Sequence, residues 1–191
     1  MITSIRRIFT PGLAIARRYM VVNGFDGGLT MLGIMVGFYF GGTDTVAPVI
    51  SACLGAAVAL GISGFSSAYI SETAERKKEL ADLEHAMIRD MGESQHEQQM
   101  RRVPLFVALV NGASPFLLSM LILSPLFLEG ATLSVQNALL ASMLVGFISL
   151  FFLGIFVGRL SNTFWLWSGV RTLAIALFTT AIIFLVTKYL H

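Results

Sequence analysis

The stretch that decides the fold is NGFDGGLTMLG, residues 23–33, which places one acid and four glycines inside an otherwise apolar run. A carboxylate within a hydrocarbon span costs at least ~2.5–3.5 kcal/mol on insertion scales, so it normally faces a protein interior or a water cavity and marks an ion path. At about 100° per residue, the small and polar residues of this run share one helix face. That face carries Asn23, Asp26, Gly27, Thr30, Gly33, Gly37 and Gly41. The stretch therefore predicts a close-packing transmembrane helix with one ionisable group, Asp26, at its centre.

Composition indicates that the rest of the chain also lies in a membrane. Of 191 residues, 55% are hydrophobic and only 13% are charged, which is outside the range of soluble domains. A helix of about 20 apolar residues crosses the hydrocarbon core of a bilayer. Stretches of that length occur at 19–40, 46–70, 103–128, 135–158 and 170–190. We therefore predict an all-α integral membrane protein with five transmembrane helices within residues 19–191.

The basic residues predict the orientation of these helices. If the N-terminus is cytoplasmic, Lys188 is the only Lys or Arg on the opposite side of the membrane. We expect a cytoplasmic N-terminus and a C-terminus outside. Residues 1–18 place two arginine pairs among apolar residues, a pattern typical of an interfacial amphipathic segment that lies on anionic membrane lipid.

The second span combines a small face with an acidic continuation. Ala57, Gly61, Gly64 and Ala68 recur every three or four residues, which allows another backbone to approach closely. No proline or glycine interrupts residues 65–91, so we expect the helix to extend into the cytoplasm as one rod and to begin an acidic helical hairpin over residues 71–102. The same angular sector continues through Ser71, Glu72, Glu75, Glu79 and Asp82.

Those acids are candidate metal ligands. Carboxylate oxygens suit hard divalent cations, and Glu72, Glu75, Glu79 and Asp82 lie at helical spacing. Across the axis of a two-fold dimer the set would double. The alternative is a solvated helix face that is neutralised locally by Arg76, Lys77 and Lys78.

Candidate residues of an ion path within the membrane surround Asp26. Asp26 itself could exchange protons against a cation, or could be a packing acid satisfied by Asn23, Thr30 or Asn111. Met31 and Met35 lie off the polar face, so ordinary lipid-facing or core methionines are the favoured interpretation. Asn111 precedes Pro115, which is expected to kink the third span and free a carbonyl. The predicted path comprises Asp26, Asn23, Thr30, Met31, Met35 and Asn111. The fourth and fifth spans are interpreted as scaffold.

Enzyme and nucleic-acid functions have no support in the sequence. Membrane proteases and lipid transferases need a Ser/His pair, paired aspartates or an acidic metal motif at membrane depth, and the three histidines lie outside the spans. No phosphate-binding loop is present. We expect no enzyme activity, no tightly bound cofactor and no nucleic-acid partner.

Taken together, these features resemble the vacuolar iron transporter family, which moves ferrous iron, and in some members manganese, out of the cytosol. The resemblance lies in the five spans, the glycine-flanked Asn-x-x-Asp-Gly of the first span, the acidic extension of the second and the kinked third. It is concentrated in residues 23–37 and 66–76. It implies a homodimer driven by proton exchange, with the ion path between the first and second helices of the two protomers. Asp26 matches the membrane acid of the family.

Two departures separate this sequence from the family pattern. Where the family has Gly-Glu-Tyr near the end of the second span, this chain has Ser67-Ala68-Tyr69, and Glu72 lies one helical turn further along the same face. The hydrophilic segment 71–102 is also shorter than the corresponding segment of iron-exporting members. We therefore expect a member of a compact prokaryotic branch, located in the plasma membrane.

We predict a homodimeric exporter of Fe²⁺ or Mn²⁺, with Asp26, Glu72, Glu75, Glu79 and Asp82 as metal ligands. The alternative is a non-transporting membrane protein whose acidic cytoplasmic helix docks a partner.

Overall fold

The computed structural model describes the backbone of residues 2–87, 95–130 and 133–190, and the side chains of residues 12–82, 102–130 and 133–189. Within these residues the chain is helical apart from short loops and one isolated bridge between Glu129 and Leu133. The long helices are α1 (Ile2–Phe40), α2 (Ala47–Met87), α3 (Gln95–Leu123), α4 (Val135–Leu160) and α5 (Trp165–Leu190). A 3₁₀ turn, Ser124–Leu128, follows α3. The all-α prediction is confirmed.

All five long helices can span a membrane by length and composition. The shortest, α4 and α5, have 26 residues each. At 1.5 Å per residue that is about 39 Å, more than the ~30 Å of a hydrocarbon core. Large apolar side chains such as Leu144, Phe152 and Phe178 are exposed on α4 and α5, as expected where lipid is the solvent. The chain is therefore an integral membrane protein with five membrane-spanning helices.

Two helices extend well beyond the apolar stretches that predicted them. α1 is continuous from Ile2 to Phe40, so residues 2–18 of the predicted interfacial segment form the first part of α1, with no helix break after them. α2 runs unbroken over 41 residues, or about 60 Å, as the absence of proline and glycine predicts. That length exceeds the ~30 Å of a hydrocarbon core. The predicted hairpin would place its turn at residues 88–94, which lie outside the described residues.

α1 occupies the centre of the bundle because it packs against all four of the other long helices. α2 packs mainly against α3, and α5 packs mainly against α4. α1 begins at the end of the bundle where α2 and α4 finish and where α3 and α5 begin. We call this end the N-terminal end of the bundle. A central α1 means that its polar residues meet different neighbours on different sides.

The predicted small face of α2 is where α3 packs. A Cβ atom added to Gly112 would lie 2.6 Å from the carbonyl oxygen of Gly61 and 2.9 Å from the Cβ atom of Phe65. A Cβ atom added to Gly64 would lie 3.2 Å from the carbonyl oxygen of Asn111, and Ala68 is buried against a group that includes Val107. Backbone groups of α2 and α3 therefore touch, which is the kind of contact that small residues permit in membranes.

A tight loop joins α4 to α5 at the N-terminal end of the bundle. The N–H group of Thr163 donates to the carbonyl oxygen of Gly158 at 3.0 Å, and Asn162 has a φ of 53°. This is the pattern of a Schellman helix end, with asparagine as the left-handed residue. The loop hydroxyls are joined as well, because Thr163 Oγ1 lies 3.1 Å from Ser161 Oγ and 3.3 Å from Ser168 Oγ. The loop fixes the start of α5 beside the end of α4.

Candidate functional site

Asn23 on α1 belongs to a chain of hydrogen bonds that joins three helices. Its amide nitrogen donates to the side-chain oxygen of Asn111 on α3. The amide nitrogen of Asn111 donates in turn to the carbonyl oxygen of Gly64 on α2 at 2.7 Å. Asn111 is only 1% exposed. Because a buried amide must be satisfied, this chain ties α1, α2 and α3 together at one level of the membrane.

Glycine and serine contacts hold α1 against α3 and α4. A Cβ atom added to Gly27 would lie 2.9 Å from the Cα atom of Pro115, and one added to Gly28 would lie 2.7 Å from a methyl group of Leu150. Ser114 on α3 donates to the carbonyl oxygen of Met20 at 2.6 Å. The face of α1 that carries Gly27 and Gly28 is therefore closely packed against α3 and α4.

Asp26 lies outside this close packing and lines a cavity of about 500 Å³ between α1, α4 and α5. Its side chain is exposed, and no other described residue forms a hydrogen bond or an ion pair with its carboxylate. Apolar residues including Val22, Phe25 and Val157 form part of the cavity wall. An unpartnered carboxylate in such a wall is available to a cation.

The polar part of the same cavity comes from the loop and from α5. Its described residues are Ser161, Thr163, Ser168, Arg171 and Thr172. Thr172 Oγ1 donates to the carbonyl oxygen of Leu150 on α4 at 3.1 Å, and Gly154 leaves room for this contact. The fourth and fifth spans, which the sequence analysis interprets as scaffold, both line the cavity that contains Asp26. In the sequence, the spacing of Ser168, Arg171, Thr172 and Ile175 on one face of α5 could have indicated this.

The other residues of the predicted path lie elsewhere. The hydroxyl of Thr30 donates to the backbone carbonyl of Asp26 at 2.7 Å, which leaves the carboxylate itself untouched. Met31 and Met35 are fully buried in the main apolar cluster with Leu32, Ile122 and Leu139. The structure brings Asn23 and Asn111 together, but neither they nor the two methionines line the cavity with Asp26.

The four predicted acids of α2 have two different environments. Glu72 is only 7% exposed, and the positive charges that act on it are those of Arg76 and Arg18. Glu75, Glu79 and Asp82 are exposed. Arg76 Nη1 donates to Glu79 Oε2 at 2.8 Å, so one of the predicted ligands is held in a local ion pair.

No metal cage is formed within the described part of one protomer. Nowhere in it do three His, Cys, Asp or Glu side chains come close enough to share an ion. The cavity with Asp26 has no described lining residue from α2, so the α2 acids do not share this cavity with Asp26. For one ion to bind both Asp26 and the α2 acids, it would have to move from one to the other, or a second copy of the chain would have to supply one of the groups.

Comparison with known proteins decides the family. The model of the VIT family matches residues 82–188, more than half of the chain. The chain belongs to the VIT family. The chain also resembles an uncharacterized protein of Methanocaldococcus jannaschii, with 28% identity over 174 residues that cover 90% of this chain and 88% of the relative.

Membership of the VIT family confirms the resemblance found in the sequence. The family match rests on residues other than those that suggested the resemblance. The matched region begins at Asp82 and contains most of α3 to α5, whereas the residues that suggested the family, 23–37 and 66–76, precede it. VIT family members are membrane transporters of metal ions rather than enzymes. The general function is therefore transport of a metal ion across a membrane.

Proposed function

We propose that this protein is a homodimeric exporter of divalent metal, Fe²⁺ or Mn²⁺, which moves the ion out of the cytoplasm in exchange for protons. The observation that carries the proposal is the carboxylate of Asp26, which is exposed at membrane depth and forms no hydrogen bond or ion pair with another described residue. A charge in that position costs ~2.5–3.5 kcal/mol or more, and an ionisable residue within a span normally marks an ion path. Alternate binding of a proton and of a metal ion is the role that we assign to this carboxylate.

The uncovered surfaces of α1 and α2 support a dimer. Gly37 on α1 and Gly55 on α2 have nothing within 4 Å of an added Cβ atom, in contrast to the glycines that face α3. A second cavity, of about 640 Å³, lies between α1 and α2 and is lined by small residues that include Gly33, Gly37 and Ala52. Close helix contact in membranes uses such residues. A second protomer on this surface would cover the groove. Asp26 lies outside the groove, in the cavity between α1, α4 and α5.

The distribution of charge supports the proposed orientation of the chain in the membrane. Arg18, Arg76, Arg102 and Arg171 belong to the N-terminal end of the bundle and Lys188 to the opposite end, which favours an N-terminal end in the cytoplasm of a prokaryotic cell. The exposed acids Glu75, Glu79 and Asp82 then face the cytoplasm, where they attract divalent cations, and Glu72 lies deeper. Asp26 accepts the ion further into the membrane.

Flux into proteoliposomes tests the proposal. Vesicles loaded with a metal-sensitive dye receive Mn²⁺ or Fe²⁺ outside under an imposed proton gradient, and dye response is measured for wild type, D26N and D44N. Asp44 is a matched control because it is an exposed aspartate in the loop between α1 and α2. We expect D26N to reduce flux to that of empty vesicles and D44N to leave it unchanged.

The opposite results are equally clear. Equal flux by D26N and wild type would remove Asp26 from the path. No flux by wild type with either metal would end the transport proposal and favour the alternative, in which the exposed acids of α2 dock a partner.

A further inference from the structure

The cavity between α1, α4 and α5 contains one acid and one base. Among the described residues that line it, Asp26 and Arg171 are the only charged side chains, and the others are apolar or hydroxyl-bearing. Both are exposed, and neither belongs to an ion pair in the structure. Two opposite charges thus share about 500 Å³ of space without touching.

Three of the four hydroxyl groups of the cavity already have backbone acceptors. The Ser161 hydroxyl donates to the carbonyl oxygen of Val157 at 2.9 Å, that of Thr163 donates to the carbonyl oxygen of Gly158 at 3.3 Å, and that of Thr172 donates to carbonyl oxygens of Gly169 and Leu150. The fourth, that of Ser168, lies 3.3 Å from Thr163 Oγ1. A guanidinium has five N–H donors and a permanent positive charge, and no described residue accepts from that of Arg171.

The directions of the two helices allow the pair to form. α1 and α5 run the same way, with Gly33 beside Ile183, and side chains on any helix lean toward its N-terminus. Asp26 and Arg171 therefore both lean toward the N-terminal end of the bundle. The backbone of α5 is held by the bond of Thr172 to α4, so the proposed pair would form by a change of rotamer along the flexible arginine stem and not by movement of a helix.

We propose that Arg171 is the counter-ion of Asp26 in the metal-free protein, and that a divalent cation which binds Asp26 displaces it. The pair relieves the cost of an isolated charge in the membrane. The displacement rests on the proposed transport function. In it, the guanidinium of Arg171 competes with the metal ion for the carboxylate of Asp26 and so lowers the affinity for metal. The pairing itself does not depend on transport.

A comparison of thermal unfolding in two backgrounds tests the pairing. R171Q is introduced into wild type and into D26N, and melting temperatures are measured in detergent with a chelator present. We expect R171Q to lower the melting temperature of the Asp26 protein and to leave that of D26N unchanged, and R171K to restore much of the loss. R159Q is the control, because Arg159 lies at the end of α4 over the ring of Trp165, outside the cavity. Equal shifts by R171Q in both backgrounds would overturn the pairing.

Addition of Mn²⁺ to the same proteins tests the displacement. We expect the Mn²⁺ concentration that gives half of the thermal stabilisation to be about tenfold (~1.4 kcal/mol) lower in R171Q than in wild type, and unchanged in R159Q. Equal concentrations in R171Q and wild type would overturn the displacement. A wild-type protein that neither Mn²⁺ nor Fe²⁺ stabilises would overturn both the displacement and the proposed function, while the metal-free comparison would still decide the pairing.

Discussion

Asn23 and Asp26 lie three residues apart on α1 and face different surroundings. Asn23 points to the side where α2 and α3 pack, and its amide is part of a complete hydrogen-bond chain through Asn111 to Gly64. Asp26 points to the side of α4 and α5, where its carboxylate lines a cavity and meets no hydrogen-bond or ion-pair partner among the described residues. We call these the packed side and the open side of α1. The difference shows that two polar residues of one span can differ in whether neighbouring helices satisfy them, and it makes Asp26 the better candidate for an ion path.

The largest effect should come from filling the contact at the centre of the packed side. G112V places methyl groups where even a Cβ atom would be 2.6 Å from the carbonyl oxygen of Gly61. Backbone atoms cannot give way as flexible side chains do, so we expect a loss of about 3 kcal/mol or more. The measurement is the melting temperature, with A113V as the matched control, since Ala113 is the next residue of α3 and its side chain is exposed. Equal losses in both variants would mean that α2 and α3 are not in backbone contact.

Much of this fold follows from the sequence, because each of these predictions depends only on the residues within one stretch of the chain. Five apolar stretches predict five spans, an uninterrupted run from Phe65 predicts a continuous α2, and the recurring small residues from Ala57 to Ala68 predict a contact face. None of these predictions requires knowledge of which helices are neighbours. They are therefore the parts that the structure and the family match bear out.

The division of α1 into two sides could not be predicted in that way. Asn23 and Asp26 are only about 60° apart around a helix, so a helical wheel assigns them to one polar face. Which neighbour each residue meets depends on where α3 and α5 pack, and that is a property of the whole bundle. Arg171 was counted in the sequence only as a basic residue near one membrane surface, because nothing local indicates that it shares a cavity with Asp26.

A smaller effect should follow from cutting the hydrogen-bond chain of the packed side. N111A removes the acceptor of Asn23 and the donor to the carbonyl oxygen of Gly64, and we expect a loss of about 1–2 kcal/mol. Asn137, whose side chain is exposed on α4, supplies the control N137A. In vesicles, N111A should keep the wild-type KM for metal. A large rise in KM with no loss of stability would instead make Asn111 a ligand of the ion and erase the distinction between the two sides.

The smallest effect should come from the exposed acids of α2. The triple variant E75Q, E79Q and D82N removes three charges that lie outside the packed bundle, one of which already pairs with Arg76. Exposed charges attract ions weakly and are screened by salt. We expect KM for Mn²⁺ to rise about threefold at low ionic strength, a change worth less than ~1 kcal/mol, and the difference to vanish at high salt. The double variant D44N and E129Q, near the opposite end, should leave KM unchanged. A salt-independent loss of transport in the triple variant would show that these acids hold the ion directly, and the open side of α1 would then be only the second of two binding sites.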